Sequence, residues 1–500
     1  MAELTPMMQK YMETKEQYKD CILFYRLGDF YEMFFDDAIV ASKELEIALT
    51  GKSCGLEERA PMCGIPYHAV ETYLARLVSR GYKVAICEQV EDPKLAKGLV
   101  KREVIRVVTP GTNLDVQSLE ASKNNYLMCI AYTSDGIGIS AADVTTGDYY
   151  VTEVEDLRKL KDELMKYEPS EIICNEAFLV SGYDVEDLKS RLHMSVSSLE
   201  SHMFDDDGCR RILMRHFKVN TLIGLGVEEF PTGILAAGAL LQYLYDTQKT
   251  DLEHFTHISP YLTSKYMLLD SSTRRNLELT ETLREKQKRG SLLWVLDKTK
   301  TAMGGRLLRN YIEQPLIDKE EMEKRLDAIQ ELNQDSISRD EIREYLNPVY
   351  DLERLLSKVT YKTANPRDLI AFRNSLQMLP PIKTVLAGFQ KEELAAIREE
   401  IDGLEDIYQL IDEAIVEEPP ISIREGGMIK DQFDETIDHL RAAKHDGKQW
   451  LVQLEEEDRE RTGIKNLKIK KNNVFGYFFE VTNSYKDLVP EDYIRKQTLA

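Results

Sequence analysis

An aromatic side chain and a carboxylate stand two residues apart near the start of the chain, in the stretch GDFYE at 28–32. An exposed phenylalanine such as Phe30 can wedge between base steps from the minor groove and kink a duplex. Unstacking costs less at a mispaired base, so such a wedge can detect mismatches while Glu32 hydrogen-bonds the displaced base. The structural alternative is a capping box, in which Asp29 is the N-cap, Glu32 stands three residues later and Phe30 is a core contact.

A second candidate for nucleic-acid chemistry is a basic stretch near the end of the chain. Five basic residues and no acidic one occur from Arg461 to Phe479, although the whole chain carries a formal net charge of −22. The segments 464–471 and 474–481 are typical of a β-hairpin around Asn472-Asn473. Edge protection by lysine is the structural interpretation, and a phosphate grip without sequence readout is the functional one, which we favour. The lysines concerned are Lys465, Lys468, Lys470 and Lys471.

Three aspartates, Asp135, Asp143 and Asp148, lie in a predicted three-strand meander over 125–154. Carboxylates on adjacent strands can bind two Mg²⁺ ions and cut phosphodiesters. Asp-Gly and Thr-Gly-Asp within this segment are also ordinary turn signals. A metal-dependent nuclease is therefore an alternative function, and turn chemistry is the favoured interpretation.

Two further patterns do not qualify as sites. The stretch TGKS at 50–53 ends like a phosphate-binding loop, but that pattern requires glycine at position 46, where the chain has Glu46. Cys54, Cys63 and His68 are close in sequence, but their spacing fits no common zinc finger and a fourth ligand is missing. We therefore predict neither a nucleotide-binding loop nor a metal site from these residues.

Length and composition bound the class of protein. A chain of 500 residues, at about 100–200 residues per domain, predicts roughly three or four domains. With 43% hydrophobic and 30% charged residues it is globular, and it contains no apolar run long enough for a membrane span. A charged, amphipathic start argues against a signal peptide, and seven cysteines without a CxxC pattern indicate reduced thiols, so a cytoplasmic location is expected. The negative charge argues against diffuse electrostatic binding of nucleic acid and leaves local basic patches as the possibility.

The first half of the chain is typical of small α/β domains. Residues 21–28 form an apolar run that suits a buried strand, and Asp29 is expected to begin a helix that continues to about 49. Further strands are predicted at 82–90 and 104–110. The meander is followed by a predicted helix at 155–167 and another strand, which indicates a second α/β domain.

The second half is predicted to be mainly helical. Helical periodicity dominates from about 255 to 417, and 428–463 is expected to be one long charged helix with a narrow apolar stripe, followed by the hairpin. The predicted fold class is therefore multidomain α/β and then mainly α. The predicted domains are 1–115, 125–245, 255–420 and 428–500.

Longer blocks of the sequence resemble the MutS family of bacterial DNA mismatch-recognition proteins. GDFYEMFFDDA resembles the Phe-x-Glu motif of that family, and the resemblance continues through PMCGIPYHAVETYLARLVSRGYKVAICEQVEDP and VTPGT. It resumes in LDSSTRRNLELTETLR, in GSLLWVLDKTKTAMGGRLLRNYIEQPL, in ERTGIKNLKIKKNNVFGYFFEVT and in RKQTLA. Because these blocks span nearly the whole chain in family order, the wedge interpretation of Phe30 and Glu32 replaces the capping box.

The resemblance implies a domain plan and a set of contacts. It implies a mixed α/β mismatch-recognition domain, an RNase H-like connector without nuclease activity, a helical lever core and an inserted clamp that carries the hairpin. It also implies that Phe30 inserts beside a mispair and that Glu32 binds the displaced base. Some basic residues of the recognition domain should then contact phosphates. The candidates are Lys52, Lys94, Lys97, Lys101, Arg102 and Arg106.

The resemblance also implies partners and cofactors for the complete protein. That protein should be a homodimer that binds double-stranded DNA with mismatches or small loops and recruits a MutL-type partner, with no membrane association. ATP and Mg²⁺ are implied for the full-length family, whose P-loop ATPase domain follows the clamp and is expected beyond residue 500. No catalytic residue is therefore expected in this chain. A scaffold that binds DNA junctions without reading mismatches is the alternative, although such relatives usually lack the Phe-x-Glu pair.

Overall fold

A computed structural model describes residues 4–55, 57–91, 100–115, 119–190, 192–472, 476–490 and 492–494. The chain divides into two compact units, Met1–Tyr408 and Gln409–Ala500. Mixed α/β structure comes first and a helical region follows, so the predicted fold class is confirmed in outline.

The first unit begins with a six-stranded mixed sheet, called the first sheet below. Its strands are β1 (Cys21–Leu27), β2 (Phe30–Phe34), β3 (Thr50–Lys52), β4 (Ala60–Pro66), β5 (Lys83–Gln89) and β6 (Arg102–Val108). Their order is β3-β4-β2-β1-β5-β6. At the centre, β1 pairs in parallel with β5 and antiparallel with β2, which fixes the position of the β1–β2 turn at one end of the sheet.

Helices cover both faces of the first sheet because successive strand residues point to opposite sides. Helix α1 (Pro6–Gln17) packs on the face that carries Leu23 and Phe34. Helices α2 (Phe35–Leu45) and α3 (Val70–Val78) cover the other face. The cysteines weighed as zinc ligands lie in these two separate cores, Cys54 beneath α1 and Cys63 beneath α2.

The helix expected to begin at Asp29 is wrong in its first part. Residues Phe30–Phe34 form β2, and the helix begins only at Phe35, so Glu32 is a strand residue and not a helix cap. The aromatic segment FYEMF suits a strand, and β4 supplies its second partner from a distant part of the sequence. The chain passes directly from strand to helix at Phe35, whose φ of 54° lies in the left-handed region.

A second six-stranded sheet follows, called the second sheet below. Its strands are β7 (Leu127–Tyr132), β8 (Ile137–Asp143), β9 (Asp148–Val154), β10 (Glu171–Cys174), β11 (Ser195–Ser198) and β12 (Ser259–Pro260). Their order is β11-β10-β7-β8-β9-β12, with β7, β8 and β9 forming the predicted meander.

Helices again cover both faces of the second sheet, and every residue of β8 is buried. One face carries α4 (Leu157–Tyr167), α5 (Glu176–Leu179) and α6 (Val185–Ser190). The other face carries α7 (Asp206–His216) and α8 (Pro231–Gln248), whose apolar sequence suits burial on nearly all sides.

The remainder of the first unit is helical, as predicted. Aspartate and asparagine side chains cap several of these helices, for example Asp318 before α12 and Asn365 before α15. None of the helices in the described ranges is long and apolar enough to cross a membrane. The helices are α9 (Ser271–Asn276), α10 (Leu292–Leu296), α11 (Ala302–Glu313), α12 (Lys319–Gln334), α13 (Ser336–Leu346), α14 (Leu352–Thr360), α15 (Pro366–Leu376), α16 (Leu379–Leu386) and α17 (Glu392–Glu400), followed by α18 (Glu405–Ala414), which begins in the first unit and ends in the second.

The second unit contains the long helix α19 (Glu435–Thr462) and a two-stranded hairpin. The Asp434 side chain accepts a hydrogen bond from the Ile437 amide, so the helix begins later than the sequence predicts. Gly463, with a φ of 70°, ends it. The hairpin strands β13 (Lys468–Asn472) and β14 (Gly476–Glu480) pair antiparallel as predicted, and the turn expected at Asn473 lies outside the described residues.

Candidate nucleic-acid interface

Phe30 lies at the end of the first sheet, immediately after the two-residue turn Gly28-Asp29. Gly28 adopts a φ of 59°, which a glycine accommodates without strain in a tight hairpin. Phe30 pairs with Leu27 on β1 and with Pro66 on β4, so its backbone is held on both sides. Its side chain is nevertheless 46% exposed. A rigid backbone therefore presents an exposed aromatic ring.

Glu32 follows two residues later on the same face of β2. Its Oε2 accepts an ion-paired hydrogen bond of 2.5 Å from Nζ of Lys52 on β3, two strands away. The Glu32 side chain is mostly buried and that of Lys52 is one-third exposed. The carboxylate is thus neutralised by one partly accessible cation, although it lies next to the exposed ring.

Gly64 on β4 shapes the surface between the two side chains. It lies directly across from Glu32, and a Cβ atom there would stand 3.6 Å from Glu32 Cγ and 3.8 Å from Phe30 Cδ1. It would also stand only 3.3 Å from the Tyr31 carbonyl oxygen, which is backbone. The missing side chain therefore leaves a shallow depression between ring and carboxylate.

The opposite face of the sheet supports the turn through a cluster that sequence reasoning missed. The Arg26 guanidinium lies 3.9 Å above the ring of Tyr67 and donates to Glu88 Oε1 at 3.1 Å. Tyr31 also donates to Glu88, and burial followed by that carboxylate raises the pKa of Tyr31, so its hydroxyl remains a donor. The Tyr67 amide donates to the Asp29 carbonyl at 3.0 Å. Only the arrangement of the strands brings these residues together.

The basic residues predicted to contact phosphates near this site differ in exposure and in their partners within the fold. Lys101 is exposed and forms an ion pair with Glu103 at 2.6 Å. Arg102 donates from Nε to the Arg26 carbonyl at 2.8 Å and lies over the Tyr25 ring, so it is engaged in the fold. Lys94 and Lys97 lie outside the described residues.

The prediction for Arg106 needs correction. Its guanidinium is buried, donates to the Thr112 carbonyl at 3.2 Å and lies near Glu71 and Tyr361. Burial lowers the pKa of the Arg106 side chain, although that group remains a cation. A side chain enclosed in this way supports the fold and is not presented to a phosphate.

The lysines of the hairpin are exposed but do not share one face. Lys468 and Lys470 alternate with Ile469, and Lys470 forms an ion pair with Glu480 at 2.8 Å. Lys471 lies on the other face, with its Nζ 5.4 Å from the centre of the Tyr477 ring. Lys465 precedes the strand and is also exposed. The hairpin therefore presents positive charge on both sides.

The aspartates of the second sheet do not form a nuclease site. Asp143 and Asp148 face each other across the β8–β9 turn and both accept from Nδ2 of Asn124 at 2.9 Å. Asp143 also accepts from the amide and hydroxyl of Thr145, and burial followed by Asp143 raises the pKa of Asp148. Asp135 lies in the turn at the other end of β8, about 20 Å away at 3.3 Å per residue. The contacts observed for Asp143 and Asp148 are those of a turn, and the structure gives no support to the nuclease alternative.

The structure gives no support to the zinc pattern of Cys54, Cys63 and His68 or to the phosphate-loop pattern at 50–53. No group of three or more metal-binding side chains occurs within the described ranges. Thr50–Lys52, the segment that ends like a phosphate-binding loop, is strand β3 paired with β4.

Comparison with known sequences identifies the domains. Residues 5–117 match MutS domain I, 125–258 match MutS domain II and 272–489 match MutS domain III. The first two matches coincide with the two sheets, and the third covers most of the helical region and the hairpin. The chain belongs to the MutS family.

Named relatives agree with this assignment. The chain is 65% identical over 500 residues to the DNA mismatch repair protein MutS of Lachnoclostridium phytofermentans, covering 100% of this chain and 54% of that protein. It is 54% identical over 503 residues to the protein of the same name from Ruminiclostridium cellulolyticum, covering 100% and 57%. The protein of that name from Acetivibrio thermocellus is 53% identical over 505 residues, with 100% and 58% covered. The chain thus spans little more than half the length of these relatives.

Proposed function

We propose that this chain recognises mismatched base pairs in double-stranded DNA and acts in DNA mismatch repair. The observation that carries the proposal is the exposed Phe30 ring at a rigid strand end, with the Glu32 carboxylate beside it on the same face. A single exposed apolar side chain is ordinary on a protein surface. What distinguishes Phe30 is its place at a strand end held on both sides, next to a mostly buried carboxylate and across from a glycine. The relatives named as DNA mismatch repair proteins support the same function.

The geometry suggests how the two side chains act. Phe30 would enter the minor groove beside a mispair, where a base step unstacks at lower cost. Glu32 would hydrogen-bond the displaced base, which the depression at Gly64 leaves room to approach. Lys52 would then exchange its bond to Glu32 for a nearby phosphate, so the site gains a positive contact as its carboxylate is used.

Other parts of the chain would hold the duplex without reading it. The hairpin of β13 and β14 would act as a clamp through Lys465, Lys468, Lys470 and Lys471, which face solvent on both sides of the ribbon. Such contacts bind phosphates irrespective of sequence. The second sheet, with its antiparallel meander flanked by parallel strands, would be the RNase H-like connector, and α9–α18 would belong to the lever core.

Partners and cofactors of the longer protein are part of the same proposal. We assign homodimer formation and a MutL-type partner to the complete protein, and its ATP and Mg²⁺ to the part of the relatives outside the matched region. In this proposal Phe30 and Glu32 recognise the mispair, and the lysines of the hairpin bind the DNA phosphates.

Fluorescence anisotropy tests this function directly. Labelled duplexes with a central G·T mispair and with the matching G·C pair are titrated with the chain over a range of salt concentrations, beside a four-way junction. We expect tighter binding to the mispaired duplex and a similar salt dependence for both duplexes, because the phosphate contacts are shared.

Two results would contradict the proposal. Equal affinity for mispaired and matched duplexes at every salt concentration would mean that the chain only grips phosphates. Stronger binding to the four-way junction than to either duplex would favour a junction-binding scaffold instead.

A further inference from the structure

A buried carboxylate joins the first sheet to the second. Glu171, the first residue of β10, is fully buried. One of its oxygens accepts hydrogen bonds from the Thr109 hydroxyl and from the Gly111 amide, the latter at 3.2 Å. Its other oxygen accepts from the Tyr243 hydroxyl at 2.8 Å and lies 3.5 Å from Nζ of Lys83. A buried carboxylate is tolerated only when it is paired and hydrogen-bonded in this way.

Most of the residues that contact Glu171 belong to the domain of the first sheet, whereas Glu171 itself belongs to the second sheet. Lys83 is the first residue of β5, and Thr109 and Gly111 directly follow β6, so three of the four partners belong to the first sheet or its exit. Tyr243 lies on α8, which packs on the second sheet and also against β6. The carboxylate is therefore a junction between two domains and not an internal feature of one.

The backbone at the junction leaves no room for adjustment. A Cβ atom on Gly111 would lie 2.8 Å from Leu127 Cβ and 3.0 Å from Glu171 Cβ, so the exit turn packs directly on β7 and β10. Thr109 and Thr112 close this turn with reciprocal hydrogen bonds. A rigid turn that is hydrogen-bonded to the Glu171 carboxylate therefore restricts the orientation of the first sheet relative to the second.

The junction and Phe30 lie at opposite ends of the first sheet. Lys83 pairs with Cys21 at the start of β1, whereas Phe30 pairs with Leu27 at its end. At 3.3 Å per residue the strand separates them by about 20 Å. A rotation of about 10° at the junction would move Phe30 by about 3.5 Å, which is close to the roughly 3.4 Å rise of one base pair.

We propose that Glu171 is a positioning residue for mismatch reading, because its carboxylate holds the first sheet at a fixed angle to the second and so fixes where Phe30 meets the duplex. This inference rests on the proposed function. Glu171 itself touches no part of the candidate interface.

Two measurements on Glu171→Gln test the proposal. Glutamine keeps the size of the side chain but removes its charge. Its NH₂ group must face one of two donor pairs, either Thr109 and Gly111 or Tyr243 and Lys83, so two of the four contacts are lost in either orientation. Glu163→Gln is the matched control, since Glu163 is a second buried glutamate of the same domain that pairs with Lys166 on its own helix. Thr109→Val, which keeps the shape and removes one donor, is the second variant if Glu171→Gln does not fold.

The first measurement is the distance distribution between nitroxide labels at Lys43→Cys on α2 and Val180→Cys in the second domain. Both positions are exposed and all seven native cysteines are buried, so labelling is directed to the new thiols. We expect a broader or shifted distribution in Glu171→Gln or Thr109→Val, and an unchanged one in Glu163→Gln. An unchanged distribution in the junction variants would overturn the proposal.

The second measurement is the ratio of affinities for G·T-mispaired and matched duplexes. We expect the ratio to fall by about fivefold or more in the junction variants, at the lower end of typical coupling between sites, with affinity for the matched duplex unchanged. A changed distance distribution with an unchanged ratio would overturn the positioning role. If the unmodified chain showed no preference for the mispair, the proposed function would fail, and the label distances would still decide whether Glu171 fixes the angle.

Discussion

Replacing Phe30 by alanine should separate recognition from stability. The ring is 46% exposed and lies outside both cores of the first sheet, so its removal leaves no cavity. We therefore expect the unfolding midpoint of Phe30→Ala to stay close to that of the unmodified chain. The same exposure makes the ring available to the duplex, so its removal should lower the affinity for mispaired DNA.

The size of the binding effect follows from the exposed area. A phenylalanine buries about 150–250 Å², so an exposed share of 46% corresponds to about 90 Å². Removing that area from water is worth about 2 kcal/mol at roughly 25 cal/mol per Å². Stacking on a base adds about 1–3 kcal/mol, which the cost of unstacking the duplex offsets in part. We therefore expect a net loss of about 2 kcal/mol, or about 30-fold, on mispaired DNA.

Anisotropy titrations of Phe30→Ala on mispaired and matched duplexes measure this loss. The control is Ile39→Ala, because Ile39 is 48% exposed on α2, which covers the opposite face of the same sheet. Matched DNA should bind both variants as it binds the unmodified chain. A loss below about threefold on mispaired DNA, or an equal loss on matched DNA, would refute the reasoning.

Three further predictions concern charges. Glu32→Gln should raise the affinity for matched DNA by up to about fivefold, because it removes a negative charge and frees Lys52 for phosphate, and it should lower the ratio of affinities for mispaired and matched DNA. Lys52→Met should weaken the complexes with both duplexes. The opposite pattern in anisotropy titrations would contradict the proposed roles of the Glu32–Lys52 ion pair. Burial lowers the pKa of His254 to about 4, so the stability that this neutral imidazole contributes is complete above its ordinary pKa of about 6.5 and falls by about 3 kcal/mol as pH drops through that window. Urea midpoints at about pH 7.5 and about pH 4.5 should therefore differ less in His254→Gln than in the unmodified chain, and equal differences would contradict the prediction. Asp351→Asn should cost about 2 kcal/mol in urea unfolding, because it removes the charge and one acceptor of a bidentate pair of 2.7 and 2.8 Å with the buried Arg306, while Glu353 still pairs with that guanidinium. A loss under about 0.5 kcal/mol would show that the pair is unimportant.

Local patterns predicted much of the fold. The meander of β7, β8 and β9 follows from alternating residues interrupted by turn signals, and the hairpin of β13 and β14 follows from the same logic. These elements pair with neighbours in sequence, so the information that forms them is local. The long helix α19 was also predictable, although its start was not, because Asp431 is a capping residue equivalent to Asp434 only three positions upstream.

The errors come from contacts between distant segments. Asp29 and Glu32 match a capping box, but β4 pairs with this stretch and turns it into a strand. Likewise Arg106 follows the pattern of an exposed strand residue, but the fold encloses its guanidinium, with Glu71 and Tyr361 near enough to affect its pKa. In the first case strand pairing overrides a local preference worth about 1 kcal/mol, and in the second the fold encloses a side chain whose strand was predicted correctly.

The sequence proposed the residues of the candidate site, which stay a prediction, but it could not give the geometry around them. The resemblance to the MutS family singled out Phe30 and Glu32, and the structure adds that the Phe30 ring is 46% exposed. The ion pair of Glu32 with Lys52, and the depression at Gly64, depend on the order β3-β4-β2. No spacing in the sequence encodes that order.

Insertion of Phe30 beside a mispair is the central claim, and the fluorescence of 2-aminopurine next to a G·T mispair tests it most directly. The probe brightens when its stacking is lost, so the account predicts a rise when the unmodified chain binds the mispaired duplex. It predicts no rise on the matched duplex, and none with Phe30→Ala at concentrations that saturate the DNA. An equal rise on both duplexes, or a full rise with Phe30→Ala, would contradict insertion by this residue.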